Sequence, residues 1–308
     1  MVHAVVLGSA AGGGFPQWNS NAPACRRARR ADTTARARSQ ASVAVSANKK
    51  DWFILNAPPD LRLQIEATPQ LHPREGFRSS PISGVVTTGG DVDAIAGLLH
   101  LRERHRFNIY APSRVLTIIA ANPIFDVLAP DCVRRVELPL DEQMDLAGAS
   151  GASGLAVVAF AVPGKVPLYL ETAGQDPGLS EEGDAVGLEI IETATGKSFF
   201  FVPGCAAMTE QLRTRLASSA LVFFDGTLWR DDEMIQLGVG SKTGKRMGHM
   251  SMSGEDGTIA AFDALGVGRR IFLHINNSNP ILLDDSPERH IANAAGWEIA
   301  YDGMEVTL

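Results

Sequence analysis

The sequence contains little cysteine, no long apolar run and no excess of positive charge. Its three cysteines, at positions 25, 132 and 205, are odd in number and far apart, so they do not suggest a disulfide framework. No segment approaches the roughly 20 apolar residues of a membrane span, and the first residues lack the basic region of a signal peptide. We therefore expect reduced thiols and a cytoplasmic location.

Basic residues are outnumbered by acidic ones. The chain has 28 Lys and Arg against 35 Asp and Glu, and its formal net charge is −7. Because an acidic surface does not attract phosphates, nucleic acid is not an expected partner. Hydrophobic residues make up 45% of the chain and charged residues 20%, which is typical of a folded protein with a large core.

Patterns typical of strands and of helices alternate along the whole chain. Strands are predicted over residues 2–7, 41–45, 52–55, 82–87, 107–110, 155–160, 186–191, 198–202, 221–224, 270–274 and 298–301. Helices are predicted over residues 61–67, with Asp60 as N-cap, and over 91–101, 112–121, 209–216, 257–265 and 288–295. Since no linker-like composition divides the chain, we expect a single domain, residues 1–308, in which sheet packs on sheet with helices outside.

A glycine-rich loop, residues 8–14, follows the first predicted strand. Such a loop can hold a phosphate with backbone N–H groups, but its spacing does not fit the dinucleotide-binding pattern. It could equally pass close to other backbone or border an active site. The sequence alone leaves these three interpretations open.

Residues able to bind a metal follow several apolar runs. Asp91 and Asp93 come after the strand predicted at 82–87, Asp225 follows the one at 221–224, and His274 ends the one at 270–274. His249 lies in a short segment with the sequence Arg-Met-Gly-His. Asp91 could instead cap the following helix, but similar placement at strand ends favours one shared metal site.

Seven segments of the chain resemble the coenzyme PQQ biosynthesis protein B family. They are residues 7–19, 55–60, 91–93, 225–234, 246–249, 274–280 and 302–304. The resemblance implies a metallo-β-lactamase fold of the α/β class, a four-layer αββα sandwich of mixed sheets with its site at the sheet ends. It also implies a role in making pyrroloquinoline quinone (PQQ) from a Glu–Tyr unit of a precursor peptide.

Two departures from the family concern metal binding. Ser20 and Ala22 stand where the family usually has cysteines, so Cys25 lacks thiolate partners and no structural zinc is expected. In the superfamily pattern His-x-His-x-Asp-His, the corresponding positions are Gly89, Asp91, Asp93 and Ala94, and Lys165 stands where a further His is usual.

The expected metal ligands are therefore Asp91, Asp93, Asp225, His249 and His274. Two His and one carboxylate suit the non-haem iron of an oxygenase, so Fe²⁺ is the expected cofactor. We expect Asp93, Asp225, His249 and His274 to form the catalytic site. The residues expected to bind substrate are Gly13, Gly14, Trp18, Lys165, Arg246, Asn276 and Asn277.

The resemblance supports one main hypothesis and two alternatives. In the main hypothesis, the protein uses a metal to oxidise or hydroxylate the tyrosine-derived part of a PQQ precursor. In the first alternative it is a metal-free carrier of PQQ or its precursor, with a transport role. The least favoured alternative is a metallo-hydrolase. The expected partners are a PQQ precursor or small quinone and other PQQ-pathway proteins, and a homodimer is compatible with the sequence.

Overall fold

Two seven-stranded sheets form the centre of the structure, a computed structural model that describes residues 1–149, 151–171 and 182–308. The strands of the first half are β1 (His3–Gly8), β2 (Ser42–Ser46), β3 (Trp52–Leu55), β4 (Ile82–Val86), β5 (Phe107–Ala111) and β6 (Val133–Glu137). The remaining strands are β7 (Gln143–Gly148), β8 (Gly151–Ala161), β9 (Val186–Glu192), β10 (Ser198–Val202), β11 (Leu221–Asp225), β12 (Arg269–Leu273), β13 (Trp297–Ile299) and β14 (Glu305–Thr307).

Each sheet is mixed, and apart from β14, which lies beside β1, neighbouring strands are consecutive along the chain. The first sheet has the order β14-β1-β2-β3-β4-β5-β6, and the second has the order β13-β12-β11-β10-β9-β8-β7. In these orders, the first sheet has three antiparallel pairs followed by three parallel pairs, and the second has three parallel pairs followed by three antiparallel pairs. Parallel strands present their carboxyl ends at one edge of the sheet, where sites commonly form.

Helices cover the outer faces of the two sheets. They are α1 (Pro23–Arg29), α2 (Leu61–Ala67), α3 (Val92–Ile95), α4 (Ser113–Ala121), α5 (Glu210–Leu216), α6 (Glu233–Gln236), α7 (Thr258–Phe262) and α8 (Pro287–Ala294). Single-turn or short 3₁₀ helices occur at Pro69–Leu71, Ala96–Leu101, Pro123–Val127, Leu168–Leu170, Lys245–Met247 and Pro280–Leu282. In the described ranges, none of these helices is long and apolar enough to cross a membrane.

Three apolar clusters separate the four layers. Val43 and Phe53 of the first sheet pack with Phe201 and Phe223 of the second to fill the space between the sheets. A second cluster joins the outside of the first sheet to α2, α3 and α4, and a third joins the outside of the second sheet to α5, α7 and α8. Central strands buried on both faces read as continuous apolar runs. The predicted four-layer αββα sandwich is therefore confirmed, whereas the single-domain organisation over 1–308 stays a prediction.

Two local predictions differ from the structure. Asp60 does not cap α2 with its side chain; its Oδ2 instead accepts hydrogen bonds from the backbone N and Nε2 of Gln40, at 2.9 and 3.2 Å. The single helix predicted over 91–101 is a short α-helix, Val92–Ile95, continued as 3₁₀ helix. Gly97, in the 3₁₀ part, lies so close to the neighbouring backbone that a side chain there would meet the carbonyl oxygen of Pro58.

Candidate metal centre and cavity

The candidate metal centre lies at the carboxyl ends of β11 and β12. These strands are parallel neighbours in which Asp225 pairs with Leu273, so Asp225 and the following His274 meet at the same edge. His274 has φ of 57°, a left-handed conformation that is uncommon for a residue other than glycine and is found at functional sites. This turn redirects the chain directly after the strand and places the imidazole at the end of the sheet.

Four side chains from distant parts of the sequence converge at this edge. One ligand atom each from Asp225, His249 and His274 lie within 4.8 Å of one another. His249 Nδ1 lies 2.8 Å from Asp225 Oδ2, and His274 Nε2 lies 2.9 Å from Asp93 Oδ2. The two imidazole rings stack with their centroids 5.2 Å apart. Strand-end positions predicted this meeting, while the catalytic and ligand roles of the four residues stay predictions.

Thr227 connects three of these groups, and the sequence patterns did not single it out. Its hydroxyl donates to Asp225 Oδ1 at 2.6 Å and lies 3.0 Å from His249 Nδ1 and 2.9 Å from His274 Nδ1. Because the hydroxyl hydrogen points to the carboxylate, the network assigns protonated Nδ1 atoms to both rings. The signal was present, since Thr227 belongs to the Asp-Gly-Thr segment that resembles the family.

The charges of the centre are strongly coupled. Burial alone would raise the pKa of Asp93 and Asp225, but the hydrogen bonds and positive charges of the nearby imidazoles hold both pKa values below their ordinary range. Burial alone would lower the pKa of His274, yet Asp93 and Asp225 raise it. For Asp91, burial and the neighbouring charge of Asp93 raise the pKa.

A cavity of about 470 Å³ opens over these residues. Asp91 and Asp93 line it, as do His249 and His274. Asp91 is not in the close group of three ligand atoms; its Oδ1 accepts a hydrogen bond from the Leu168 backbone N at 3.3 Å. Ala94 lines the same cavity and offers no donor atom to a metal.

The residues expected to bind substrate fall into two groups. Lys165 and Asn276 line the main cavity, and Arg246 belongs to an ion-pair cluster described below. Asn277, which follows Asn276 in the chain, is buried, and its Nδ2 donates a hydrogen bond to Gln17 Oε1.

The other three substrate-binding candidates lie outside the main cavity. Gly13 and Gly14 line a second cavity, together with Asp60 and Asp302. Trp18 is 85% exposed. The glycine-rich loop thus separates the two cavities, with Gly12 facing the main one.

Positive side chains surround one carboxylate at the wall of the main cavity. Glu171 lies 3.6 Å from Lys165 Nζ, 3.3 Å from Lys242 Nζ and 3.7 Å from Arg246 Nη2. Neither Lys242 nor Glu171 was identified from the sequence. A signal for Lys242 was its position seven residues before His249, among Lys245 and Arg246.

Comparison with known proteins identifies the family. A family model described as "Beta-lactamase superfamily domain" matches residues 51–275. Coenzyme PQQ synthesis protein B of Gluconacetobacter diazotrophicus is 56% identical over 308 residues, covering 100% of both chains. The protein of the same name from Rhodopseudomonas palustris is 52% identical over 310 residues, again covering 100% of both.

Solved structures show the same relationship. The crystal structure of Zn²⁺-bound PqqB from Methylobacterium extorquens is 48% identical, covers 99% of this chain and 100% of its own, and has a TM-score of 0.94. A diphosphatase from the PhnP family has a TM-score of 0.68 at 18% identity, covering 100% of this chain and 98% of its own, which shows a shared fold.

These findings correct one prediction and establish the family. The expectation of Fe²⁺ with no zinc is wrong, because the solved relative binds Zn²⁺ and Asp225, His249 and His274 form a group that could hold a metal ion. The missing thiolates at Ser20 and Ala22 misled the prediction, since they say nothing about the donors at the strand ends. With full-length relatives more than half identical, this chain belongs to the coenzyme PQQ synthesis protein B family of the beta-lactamase superfamily.

Proposed function

We propose that the protein serves PQQ biosynthesis by binding an anionic PQQ precursor in the main cavity, next to Zn²⁺ held by Asp225, His249 and His274. The observation that carries this proposal is the convergence of those three donors within 4.8 Å, with His249 and His274 lining a cavity of about 470 Å³ and Asp225 buried behind them. Membership of the family supplies the pathway.

The donor set fits zinc. Two imidazoles and one carboxylate are nitrogen and oxygen ligands that Zn²⁺ prefers, and three protein ligands leave a position open, as in catalytic zinc sites. When bound, Zn²⁺ supplies Lewis acidity and lowers the pKa of a coordinated water or hydroxyl without changing oxidation state.

The chain's own residues would orient the ligand and hold protons around it. Asp93 accepts from His274 Nε2, and Thr227 fixes the Nδ1 side of both imidazoles. Ala94 leaves room where a bulkier donor would stand, and Lys165 places a positive charge on the cavity wall. A flat ring that carries carboxylates matches this combination of space and charge.

We propose oxidation of the tyrosine-derived ring as the reaction. Because zinc exchanges no electrons, the oxidant must be O₂ or another acceptor that enters with the substrate. The test is to incubate zinc-loaded protein with a Glu–Tyr-derived precursor in air and to follow its mass. Loss of two hydrogen atoms with formation of H₂O₂, absent for His274→Ala, supports oxidation. Gain of one oxygen atom supports it when a two-electron donor is added to reduce the other atom of O₂ to water.

A carrier role is the second candidate. It is favoured by the Zn²⁺ bound in the solved relative, an ion that exchanges no electrons, and by Ala94, which contributes no ligand. In that case the protein binds PQQ or its precursor tightly and returns it unchanged. Recovery of unmodified ligand in the same experiment would support the carrier and contradict oxidation.

The cellular setting is part of the proposal. We propose that the protein works in the cytoplasm with other proteins of the PQQ pathway, where Cys25, Cys132 and Cys205 stay reduced. In the structure all three cysteines are free. Co-purification of a tagged chain with its pathway proteins from the soluble fraction, with and without a crosslinker, tests the location, the partners and a homodimer together.

A further inference from the structure

Three cations meet one carboxylate at the wall of the main cavity. Glu171 Oε1 lies 3.6 Å from Lys165 Nζ, while its Oε2 lies 3.3 Å from Lys242 Nζ and 3.7 Å from Arg246 Nη2. The side chains of Glu171 and Lys165 are 14% and 19% exposed, so this cluster is partly shielded from water. Burial would raise the pKa of Glu171, but the three cations hold it below its ordinary value.

The cluster carries more positive charge than Glu171 neutralises. The charge of Lys165 also offsets part of the rise in the pKa of Asp91, so it acts on the cavity wall as well as on Glu171. Within the described ranges, Lys242 and Arg246 pair with Glu171 alone, and Arg246 Nη1 is buried with no hydrogen-bond partner. Buried N–H groups of this kind normally have an acceptor. The cluster therefore holds an unbonded donor on Arg246, an unbonded acceptor in Glu171 Oε1, and an excess of positive charge that a further anionic group would neutralise.

One short loop carries residues of both this cluster and the metal centre. Residues 242–249 contain Lys242, Arg246 and the candidate ligand His249. Gly248, with φ of 85°, holds the backbone against Lys165, and an added Cβ there would lie 3.0 Å from Lys165 Cγ. Lys165, Lys242 and His249 all line the same cavity. A single ligand can thus reach the cations with one group and the metal centre with another.

We propose that Lys165, Lys242 and Arg246 form a carboxylate-binding subsite, and that Glu171 occupies it in the free protein until a ligand carboxylate displaces it. Guanidinium and ammonium groups are the usual partners of carboxylates. The ligand would be a flat molecule with at least two carboxylates, one for this subsite. The ligand's identity rests on the proposed function, whereas the subsite rests on the ion-pair cluster.

The test is a calorimetric titration of the zinc-loaded, full-length protein with two probes. One probe is PQQ, and the other is trimesate, a flat aromatic tricarboxylate without a quinone. For both, Glu171→Gln should tighten binding about threefold to tenfold because it removes the competing charge, and Lys242→Met should weaken binding by a similar factor. The matched controls are Glu255→Gln and Lys197→Met, exposed residues outside the cavity, which should change neither affinity.

The two probes separate the subsite from the proposed function. If trimesate responds to both variants but PQQ does not bind, the subsite stands and the proposed ligand is wrong. If PQQ binds and His274→Ala abolishes its binding, but Glu171→Gln and Lys242→Met change nothing, the proposed function stands and the subsite is wrong. Absence of binding by both probes also overturns the subsite. Thermal unfolding and zinc content of each variant confirm that it is folded and loaded.

Discussion

At the scale of single residues, Thr227 has more influence than its size suggests. One hydroxyl contacts the carboxylate of Asp225 and the Nδ1 atoms of His249 and His274. By engaging the Nδ1 side of both rings, it leaves the Nε2 atoms as the candidate metal donors; that of His274 is hydrogen-bonded to Asp93 Oδ2 in the metal-free protein. Groups behind metal ligands commonly set ring orientation and tautomer in this way.

Replacing Thr227 with Val should lower zinc affinity by about 10- to 100-fold, because the isosteric side chain keeps the volume but loses the hydroxyl. Thr227→Ser keeps the hydroxyl and serves as the control, with affinity close to wild type. Competition with a chromogenic chelator measures both constants. Zinc binding by Thr227→Val that equals that of Thr227→Ser would contradict the assigned role.

The pair formed by Asp93 and His274 predicts a pH dependence of zinc binding. Asp93 raises the pKa of His274 above its ordinary 6.5, so a proton on Nε2 competes with the metal. Zinc affinity should therefore increase with pH by up to about tenfold per unit until His274 is neutral, then level off. Measuring zinc affinity from acid to mildly alkaline pH checks this. An affinity that does not change with pH would show that zinc binding releases no proton from His274.

The same pair affects the stability of the metal-free protein with the opposite trend. Its contribution is fully present below the ordinary His pKa of 6.5 and is lost as pH rises through the raised pKa of His274. Urea unfolding of metal-free and zinc-loaded protein at several pH values separates the two trends.

At the scale of elements, the loop at 242–249 depends on a glycine. Gly248→Ala places a methyl group in the left-handed region and against Lys165, and we expect the free energy of unfolding to fall by about 1–2 kcal/mol. Gly238→Ala is the matched control, because Gly238 has φ of 67° but open space around it. Gly238→Ala should lower the free energy of unfolding through its left-handed backbone in the same way, but it should not displace Lys165.

Denaturant unfolding and ligand titration are the two measurements that compare Gly248→Ala with Gly238→Ala. Gly248→Ala should weaken trimesate binding while Gly238→Ala should not. Equal effects of the two substitutions on both measurements would show that the contact with Lys165 is unimportant.

Sequence patterns predicted the central strands well and the edge strands poorly. β6, β7 and β14 were missed, and each lies at the edge of a sheet. Their side chains are largely exposed, including Arg134 in β6, so they lack the apolar run that identifies a strand buried on both faces. Position in the sheet, which local sequence does not encode, decides this difference.

Sequence patterns likewise identify some residues of the site and miss others. Asp93, Asp225 and His274 could be found because each follows an apolar strand. Lys242 and Glu171 could not, because their meeting depends on how two irregular loops fold over the cavity. The metal was mistaken because the ligand count alone does not distinguish iron from zinc.

At the scale of the whole molecule, stability should depend on the layer between the sheets. Phe223 is fully buried and its ring lies 5.7 Å from that of Phe199. Phe223→Ala should lower the free energy of unfolding by about 3–5 kcal/mol through the cavity it leaves. Phe77→Ala, at a fully exposed position, should change it by less than about 0.5 kcal/mol. Urea denaturation compares the two, and similar losses would contradict this account of the core.

The division of the chain between two sheets also sets a timetable for synthesis. All strands of the first sheet except β14 precede the first strand of the second, so the ribosome completes them first. At about 5–20 residues per second, roughly 10–35 seconds separate Asp93 from His274, which lies 181 residues later. Until the second sheet forms, the apolar inner face of the first sheet, with Val43 and Phe53, lacks the layer that contains Phe201 and Phe223 and is open to chaperones. Because Asp225, His249 and His274 all belong to the second half, zinc uptake during refolding would report the formation of that half, whereas the contact between Asp93 and His274 would report the joining of the two.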